Sequence, residues 1–296
     1  MSTTTLKRIA LICMIIDHIG EFIPGMPIQL RWIGRLSAPI FIYLFVNGIA
    51  YTSNKKKFIK RLYSFNVLTA FLMFGFNLLP EHQGLFNLVT NNILGTFLAI
   101  FLLIEVIETV REKKKNWGGI LCGYCFWQIV SILAGVILEE IPVIGEEVIY
   151  LFWQLSGNIF MNEGRLFIVV LGVGLYYARN SKKKLTLTYL LIVGSQSAIV
   201  LLDIPYRICA KIHLLAEWIP SILCENIFSV MGYEALFRGR IDPFAEHFEW
   251  MMMAALPFLL LYNGERGKYH KYFYYIFYPA HLVLLLSIQH ILVHQM

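Results

Sequence analysis

The chain has 296 residues, 58% of them hydrophobic and 15% charged, with a formal net charge of +6 and a mean hydropathy of +0.64. So apolar a chain cannot form a water-soluble sphere without exposing large apolar patches, so lipid is its expected solvent. Its apolar runs reach about 18 to 22 residues without alternation, which excludes a β-barrel of ~10-residue alternating strands, and the expected fold class is an all-α, polytopic helical membrane protein.

The first run, 6–23, opens with Lys7 and Arg8 as a signal peptide would. Asp17 and His18 interrupt it and no small-residue cleavage site follows, so it reads as a retained helix. Further spans are expected at 32–51, 62–79, 88–110, 117–138, 161–178, 185–202, 246–262 and 272–292, nine in all. Residues 203–245 mix Leu, Ile, Trp and Met with Lys211, His213, Glu217, Glu225 and Glu234. That is too polar for an ordinary lipid-facing span, and an external amphipathic or re-entrant segment is expected, with a tenth span as the alternative. No internal repeat, linker or second soluble domain is visible, so 1–296 reads as one integral-membrane domain.

Basic residues cluster at Lys7 and Arg8, Lys55 to Arg61, Arg111 to Lys115, Arg179 to Lys184 and Arg266 to Lys271, which hold 18 of the 25 lysines and arginines. These are every second loop. The positive-inside rule therefore places the N-terminus and all five clusters in the cytoplasm of a bacterial inner membrane, and Glu139, Glu140, Glu146 and Glu147 fall in an opposite loop. The net positive charge thus has a topological cause, and no nucleic-acid partner is expected.

Other chemistries find little support. Cys122 and Cys125 have CxxC spacing but lie in an apolar run with no further Cys or His at ligand spacing, so packing is their expected role and no metal is expected. Cys209 and Cys224 are the candidates for a disulfide, since both fall outside the expected spans. No phosphate loop of the GxxxxGK type and no strand followed by GxGxxG occurs.

The informative residues are polar groups inside the expected spans, each of which carries a cost in lipid. Asp17 and Glu21 are four apart on one face of the first span, with His18 adjacent. His18 lies ~18 Å from the cytoplasmic start of its span and His281 ~14 Å from that of the last, so the two are expected at similar depth. Tyr278 precedes His281 by three positions and shares its face. Arg31 and Arg35, four apart at the external start of the second span, are placed to snorkel, to pair with Asp17 or Glu21, or to hold an anionic group. Asn91, Asn92, Glu163, Arg165, Asp203, Tyr206, Arg207 and His247 add polarity on the external side.

A neutral histidine beside a carboxylate is suited to deprotonate an alcohol or amine as it attacks an acyl donor, the carboxylate fixing the tautomer and stabilising the imidazolium. With no serine or cysteine nucleophile in evidence, direct transfer from donor to acceptor is preferred over an acyl-histidine intermediate. Basic cytoplasmic loops suit the phosphates of a nucleotide-like donor such as acetyl-CoA.

Three stretches carry a resemblance: KRIALICMIIDHIG at 7–20, GRLSAPIFIYLFVNGIAYTSNKKKFIKRL at 34–62 and LLLYNGERGKYHKYFYYIFYPAHLVLL at 259–285. They resemble the TraX family, membrane proteins named for the conjugation-system pilin acetylase, which is similar in turn to the larger group of transmembrane acyltransferases. The resemblance implies an acyltransferase that takes an acetyl group from cytoplasmic acetyl-CoA to a peptide, glycan or lipid acceptor outside. Asp17, His18, Arg35, Tyr262, Asn263, Gly264, Arg266, Tyr278 and His281 match its motif positions. On this reading His18, Asp17 and His281 are catalytic, Glu21, Arg31, Arg35 and Tyr278 meet the acceptor, and Tyr262, Asn263, Gly264, Arg266 and Lys268 meet the donor, unless YNGERG is a plain helix stop. The 203–245 segment looks longer than the family implies. A proton-coupled or solute transporter using the same His and Asp residues is the alternative, and a membrane scaffold a third.

Overall fold

The computed structural model describes residues 1–79, 89–215, 227–228, 231, 233, 242–268 and 273–294. Among them all regular structure is helical: α1 (Thr3–Phe22), α2 (Gln29–Gly34), α3 (Ser37–Tyr51), α4 (Lys55–Asn77), α5 (Ile93–Arg111), α6 (Trp117–Glu139), α7 (Glu146–Ser156), α8 (Arg165–Ala178), α9 (Lys182–Leu201), α10 (Ile204–Leu215), a 3-10 helix (Glu249–Ala255), α11 (Leu256–Leu260) and α12 (Phe273–His294). Their starts follow local chemistry. Ser2, Asn54 and Ser181 each accept a hydrogen bond from a backbone N–H in the first turn of α1, α4 and α9, satisfying a donor that the helix leaves open.

The α2–α3 segment Gln29–Tyr51, α5, α6 and α9 are long and apolar enough to cross a membrane. α6 points Phe126, Ile129, Leu133 and Ile137 outward, each more than half exposed, an apolar face that only lipid or another apolar surface covers without cost. The protein is thus a helical membrane protein. Helices occupy all nine segments expected to span, but not all in the expected form. Over 246–262 the chain forms seven residues of 3-10 helix and five of α-helix, roughly 21 Å long against a hydrocarbon core of about 30 Å. It does not cross the bilayer as a continuous helix. α7, in an expected external loop, is an additional element. Most of the expected external segment lies outside the described residues beyond α10, as does Cys224; Cys209 is disulfide-bonded.

The chain divides into two compact units. Unit 1 comprises Met1–Asn47 and Gly174–Met296, and unit 2 comprises Gly48–Val173. In unit 1, α1 packs against α2 and α12, while α9 packs against the 3-10 helix and α11. The α1–α2 approach is close because it is made at glycines: a Cβ on Gly34 would sit 2.2 Å from the Asp17 side chain, and one on Gly20 would sit 2.9 Å from Leu30 Cβ. Tyr189 of α9, fully buried, donates its hydroxyl to the Met252 carbonyl at 2.6 Å, which ties the 3-10 helix in place.

In unit 2, α5 supplies the core, with Ala99, Ile100 and Ile104 fully buried, and α4, α6 and α7 pack around it. Trp153 of α7 lies where a Cβ on Gly135 of α6 would be, 1.8 Å away. Around these apolar contacts runs a network of neutral polar groups. Asn158 donates to the Gln128 carbonyl at 3.1 Å and to Ser131 Oγ at 2.9 Å, and accepts from the N–H groups of Phe160 and Met161. Thr96 donates to Asn162 at 2.8 Å, and Asn92 to Asn66 at 2.8 Å.

Candidate active site

The site of unit 1 is built on α1, α2 and α12. Successive residues of a helix point about 100° apart, so Asp17 and Glu21 share one face of α1 while His18 looks along another. The first face meets α2 and the second meets α12.

Toward α2, Arg31 reaches both carboxylates. Its Nη1 lies 2.8 Å from Glu21 Oε2 and 3.2 Å from Asp17 Oδ1, and its Nη2 donates to Glu21 Oε1 at 3.3 Å. Arg35 Nη2 stands 3.8 Å from Asp17 Oδ1, and its guanidinium lies 4.8 Å above the Phe248 ring. Two arginines and two carboxylates, each 16 to 28% exposed, therefore neutralise one another. The pairing is imperfect. Arg35 Nε is buried and makes no hydrogen bond, and Asp17 Oδ1 meets the two arginines as ion pairs without hydrogen-bond geometry.

Toward α12, His18 Nδ1 and His281 Nε2 are 2.7 Å apart, and both side chains are buried. The ring centroids are 5.0 Å apart with planes inclined by 11°. That separation matches the hydrogen bond plus two ring half-widths, so the rings meet edge to edge rather than face to face. His281 Nδ1 lies 3.0 Å from the carbonyl oxygen of Phe277. Phe277 stacks parallel to His281 at 5.3 Å and Tyr278 lies tilted at 5.6 Å, both fixing the His281 ring.

This geometry assigns the protons. A carbonyl oxygen only accepts, so His281 Nδ1 carries a hydrogen; in a neutral ring its Nε2 is then a lone pair. That lone pair accepts from His18 Nδ1–H, which leaves the free lone pair of the pair on His18 Nε2. Two imidazolium rings are incompatible with the bond, since both facing nitrogens would carry hydrogen. The pair holds at most one added proton.

The orienting partner of His18 is therefore His281, not Asp17. Asp17 was expected to set the tautomer because it adjoins His18 in sequence, but adjacency on a helix turns the side chains apart, and its carboxylate is held by the arginines. Asp17, His18 and Glu21 do bring ligating atoms within 4.8 Å of one another. A cation there would have to displace Arg31 from both carboxylates.

The 262–268 turn packs on the start of α1. Thr3 N donates to the Glu265 carbonyl at 2.8 Å, Thr4 Oγ1 to the carbonyls of Arg266 and Lys268 at 2.9 and 2.7 Å, and Asn263 N to the Met1 carbonyl at 3.0 Å. Tyr262 hydrogen-bonds Thr3 and meets Tyr43 edge-on. Gly264 and Gly267 have φ of 82° and 69°, left-handed values that cost other residues energy. A backbone anion cradle needs successive free N–H groups, and here those of Asn263 and Glu265 are already bonded. The exposed side chains of Arg266 and Lys268 are what an anion would meet at this turn. By helix rise, Thr4 and His18 are about 21 Å apart along α1.

The fold and the site define a helical membrane protein that holds a buried histidine pair beside a compensated charge cluster. The family is given by comparison: the model described as TraX protein matches residues 2–162, more than half of the chain, and the chain belongs to the TraX family. The match includes Asp17, His18, Glu21, Arg31 and Arg35, whereas the 262–268 turn, Tyr278 and His281 lie beyond it. A probable fimbrial assembly protein, FimC of serogroup H1, from Dichelobacter nodosus is 28% identical over 152 residues, 47% of this chain and 62% of that protein. The chain thus covers less than two thirds of that relative's length. No solved structure matches.

Proposed function

We propose that the protein is a membrane-embedded acyltransferase that moves an acetyl group from cytoplasmic acetyl-CoA to an amine or hydroxyl on the external side, with His18 as general base. The observation that carries this reading is the His18–His281 hydrogen bond, which with the Phe277 carbonyl leaves His18 Nε2 as a lone pair in a buried setting. The acceptor's N–H or O–H gives its proton to His18 Nε2 as its nitrogen or oxygen attacks the thioester carbonyl. His18 passes its Nδ1 proton to His281 Nε2, so the added charge is shared over two rings. The intermediate then collapses, the C–S bond breaks, and the CoA thiolate takes up the proton. Asp17, Arg31, Arg35, Glu21 and Tyr278 shape the acceptor side.

The reading needs the N-terminus on the cytoplasmic side, as the basic loops favour, with the 262–268 turn that packs on the start of α1 on the same side. Arg266 and Lys268 then face the cytoplasm and meet the phosphates of the donor. A pantetheine arm on the order of 15 to 20 Å long nearly bridges the climb from that turn to His18. Family membership and the name of the fimbrial relative favour a peptide at the cell surface as acceptor, with glycan hydroxyls and lipid headgroups as other members of the class. The histidine pair is also a proton wire, which is what a proton-coupled transporter would use.

The test is acetyl-CoA turnover by the purified protein, read as free thiol. His18→Ala is expected to lower it about 10²- to 10⁴-fold per folded molecule, the folded fraction being checked by the unfolding transition. Undiminished turnover in that variant, or proton-driven solute flux with no turnover at all, would overturn the reading.

A further inference from the structure

Unit 1 holds a second polar cleft, between α9 and the 3-10 helix, apart from the histidine pair. It offers about 10 Å³ of space, lined by Gln196 and Ser197 of α9 and by His247, Glu249 and Trp250, with Leu201, 48% exposed, at its rim. Space on the scale of one water admits the tip of a ligand and leaves the rest outside.

The charge in the cleft is that of Glu249. Its Oε2 is enclosed and makes no hydrogen bond, with His247 Nδ1 3.4 Å away. The side chain is still 33% exposed, so the outward oxygen is Oε1. No lysine or arginine among the described residues pairs with this carboxylate, since Arg35, above the adjoining Phe248 ring, pairs with Asp17 instead. Two neighbours add lone pairs. Ser197 Oγ spends its hydrogen on the Val193 carbonyl at 2.7 Å, and Gln196 Oε1 accepts from the Tyr233 hydroxyl at 2.6 Å and keeps a second lone pair. Trp250 Nε1 donates to the Pro243 carbonyl at 2.9 Å, which leaves its ring as what it offers the cleft.

We infer that this cleft is an anchoring subsite for a lysine ammonium of a peptide acceptor, held chiefly by the Glu249 carboxylate. It rests on the acyltransferase reading only in calling that peptide an acceptor. An ammonium brings three hydrogens to the three oxygens and a positive charge to the carboxylate and the indole face. It is compact, whereas the planar guanidinium of arginine is too wide for water-sized space. An amine gripped by a carboxylate keeps its proton and has no lone pair with which to attack a thioester. The group held here is therefore a neighbour of the one that reacts at His18, and Arg35, which touches both Asp17 and the residue between His247 and Glu249, ties the two places together. Asp242 and Glu246, on the turn just before, are exposed. A lipid amine would bring its phosphate beside these carboxylates, while a lysine brings positive charge alone.

The test is a short dye-labelled peptide, one lysine among alanines, titrated against the full chain in detergent without acetyl-CoA while fluorescence anisotropy is followed. Saturable binding is expected, about tenfold weaker with arginine in place of lysine and lost with N-acetyl-lysine. Glu249→Gln should weaken binding of the lysine peptide about tenfold or more. On the wild-type protein a carbodiimide should link the peptide lysine to Glu249, located by mass spectrometry, a measurement that needs no variant to fold. Equal binding of the lysine and N-acetyl-lysine peptides, binding that Glu249→Gln leaves unchanged, or a link only to Asp242 or Glu246 overturns the proposal. So does displacement of the peptide by short-chain phosphatidylethanolamine at a lower concentration than unlabelled peptide needs, which assigns the cleft to a lipid amine. No donor is present, so these outcomes are independent of turnover: a protein that binds the peptide as expected but consumes no acetyl-CoA loses the transferase reading and keeps the lysine cleft.

Discussion

The two units bury polar groups in opposite ways. Unit 1 concentrates charge on α1, α2 and α12: two carboxylates, two arginines and two histidines, with Arg35 Nε left without a hydrogen bond. Unit 2 uses neutral amides and hydroxyls, and its hub, Asn158, has both ends of its side chain bonded. In a membrane both are costly unless partnered, but they return different things. A bonded amide fixes helices against each other and has nothing left to offer a substrate. The histidine pair fixes α1 against α12 and still leaves a lone pair. The difference separates a polar group that holds the fold from one available for chemistry.

Substitutions can break that contrast. Beyond the loss expected of His18→Ala, the largest effect is that of His281→Leu. It leaves His18 Nδ1 without its acceptor, and acetyl-CoA turnover should fall about 100-fold. His281→Gln offers an amide oxygen to the same N–H and should recover about tenfold of that loss, a rescue that a purely structural role for His281 would not produce. In unit 2, Asn158→Leu strips four hydrogen bonds at once and should cost about 3 to 5 kcal/mol, seen as a lower thermal midpoint, while turnover per folded molecule holds. Smaller effects are expected of Gly34→Ala and Gly135→Ala, each an overpacking of about 1 to 3 kcal/mol. They should differ in turnover: Gly34→Ala displaces Asp17 and lowers it, whereas Gly135→Ala pushes on Trp153 and does not.

These distinctions were only partly legible in the sequence. Apolar run length marked where helices lie, because crossing lipid demands it. Similar depth for His18 and His281 followed from helix rise and the charge rule. What the sequence does not display depends on side-chain direction. Asp17 looked like the partner of His18, and helix geometry turns it toward Arg31 and Arg35 instead. The tight α1–α2 contact rests on Gly20 and Gly34, which have no side chain to announce it. α7 is too short for a span and its acidic start reads as loop, although Gln154, Asn158 and Asn162 recur at four-residue spacing around its end. The 3-10 turn at Glu249–Ala255 shortens a segment whose composition alone reads as a full crossing.

The central claim is that His18 takes a proton while an acetyl group passes from donor to acceptor across the membrane. It is tested most directly in sealed proteoliposomes of known orientation, with radiolabelled acetyl-CoA on the side of the N-terminus and a short lysine peptide on the other. The account predicts label on the peptide with the wild-type protein, none when the donor is placed on the peptide's side, and about 100-fold less or lower still with His18→Ala. Labelling by His18→Ala at the wild-type rate would contradict it.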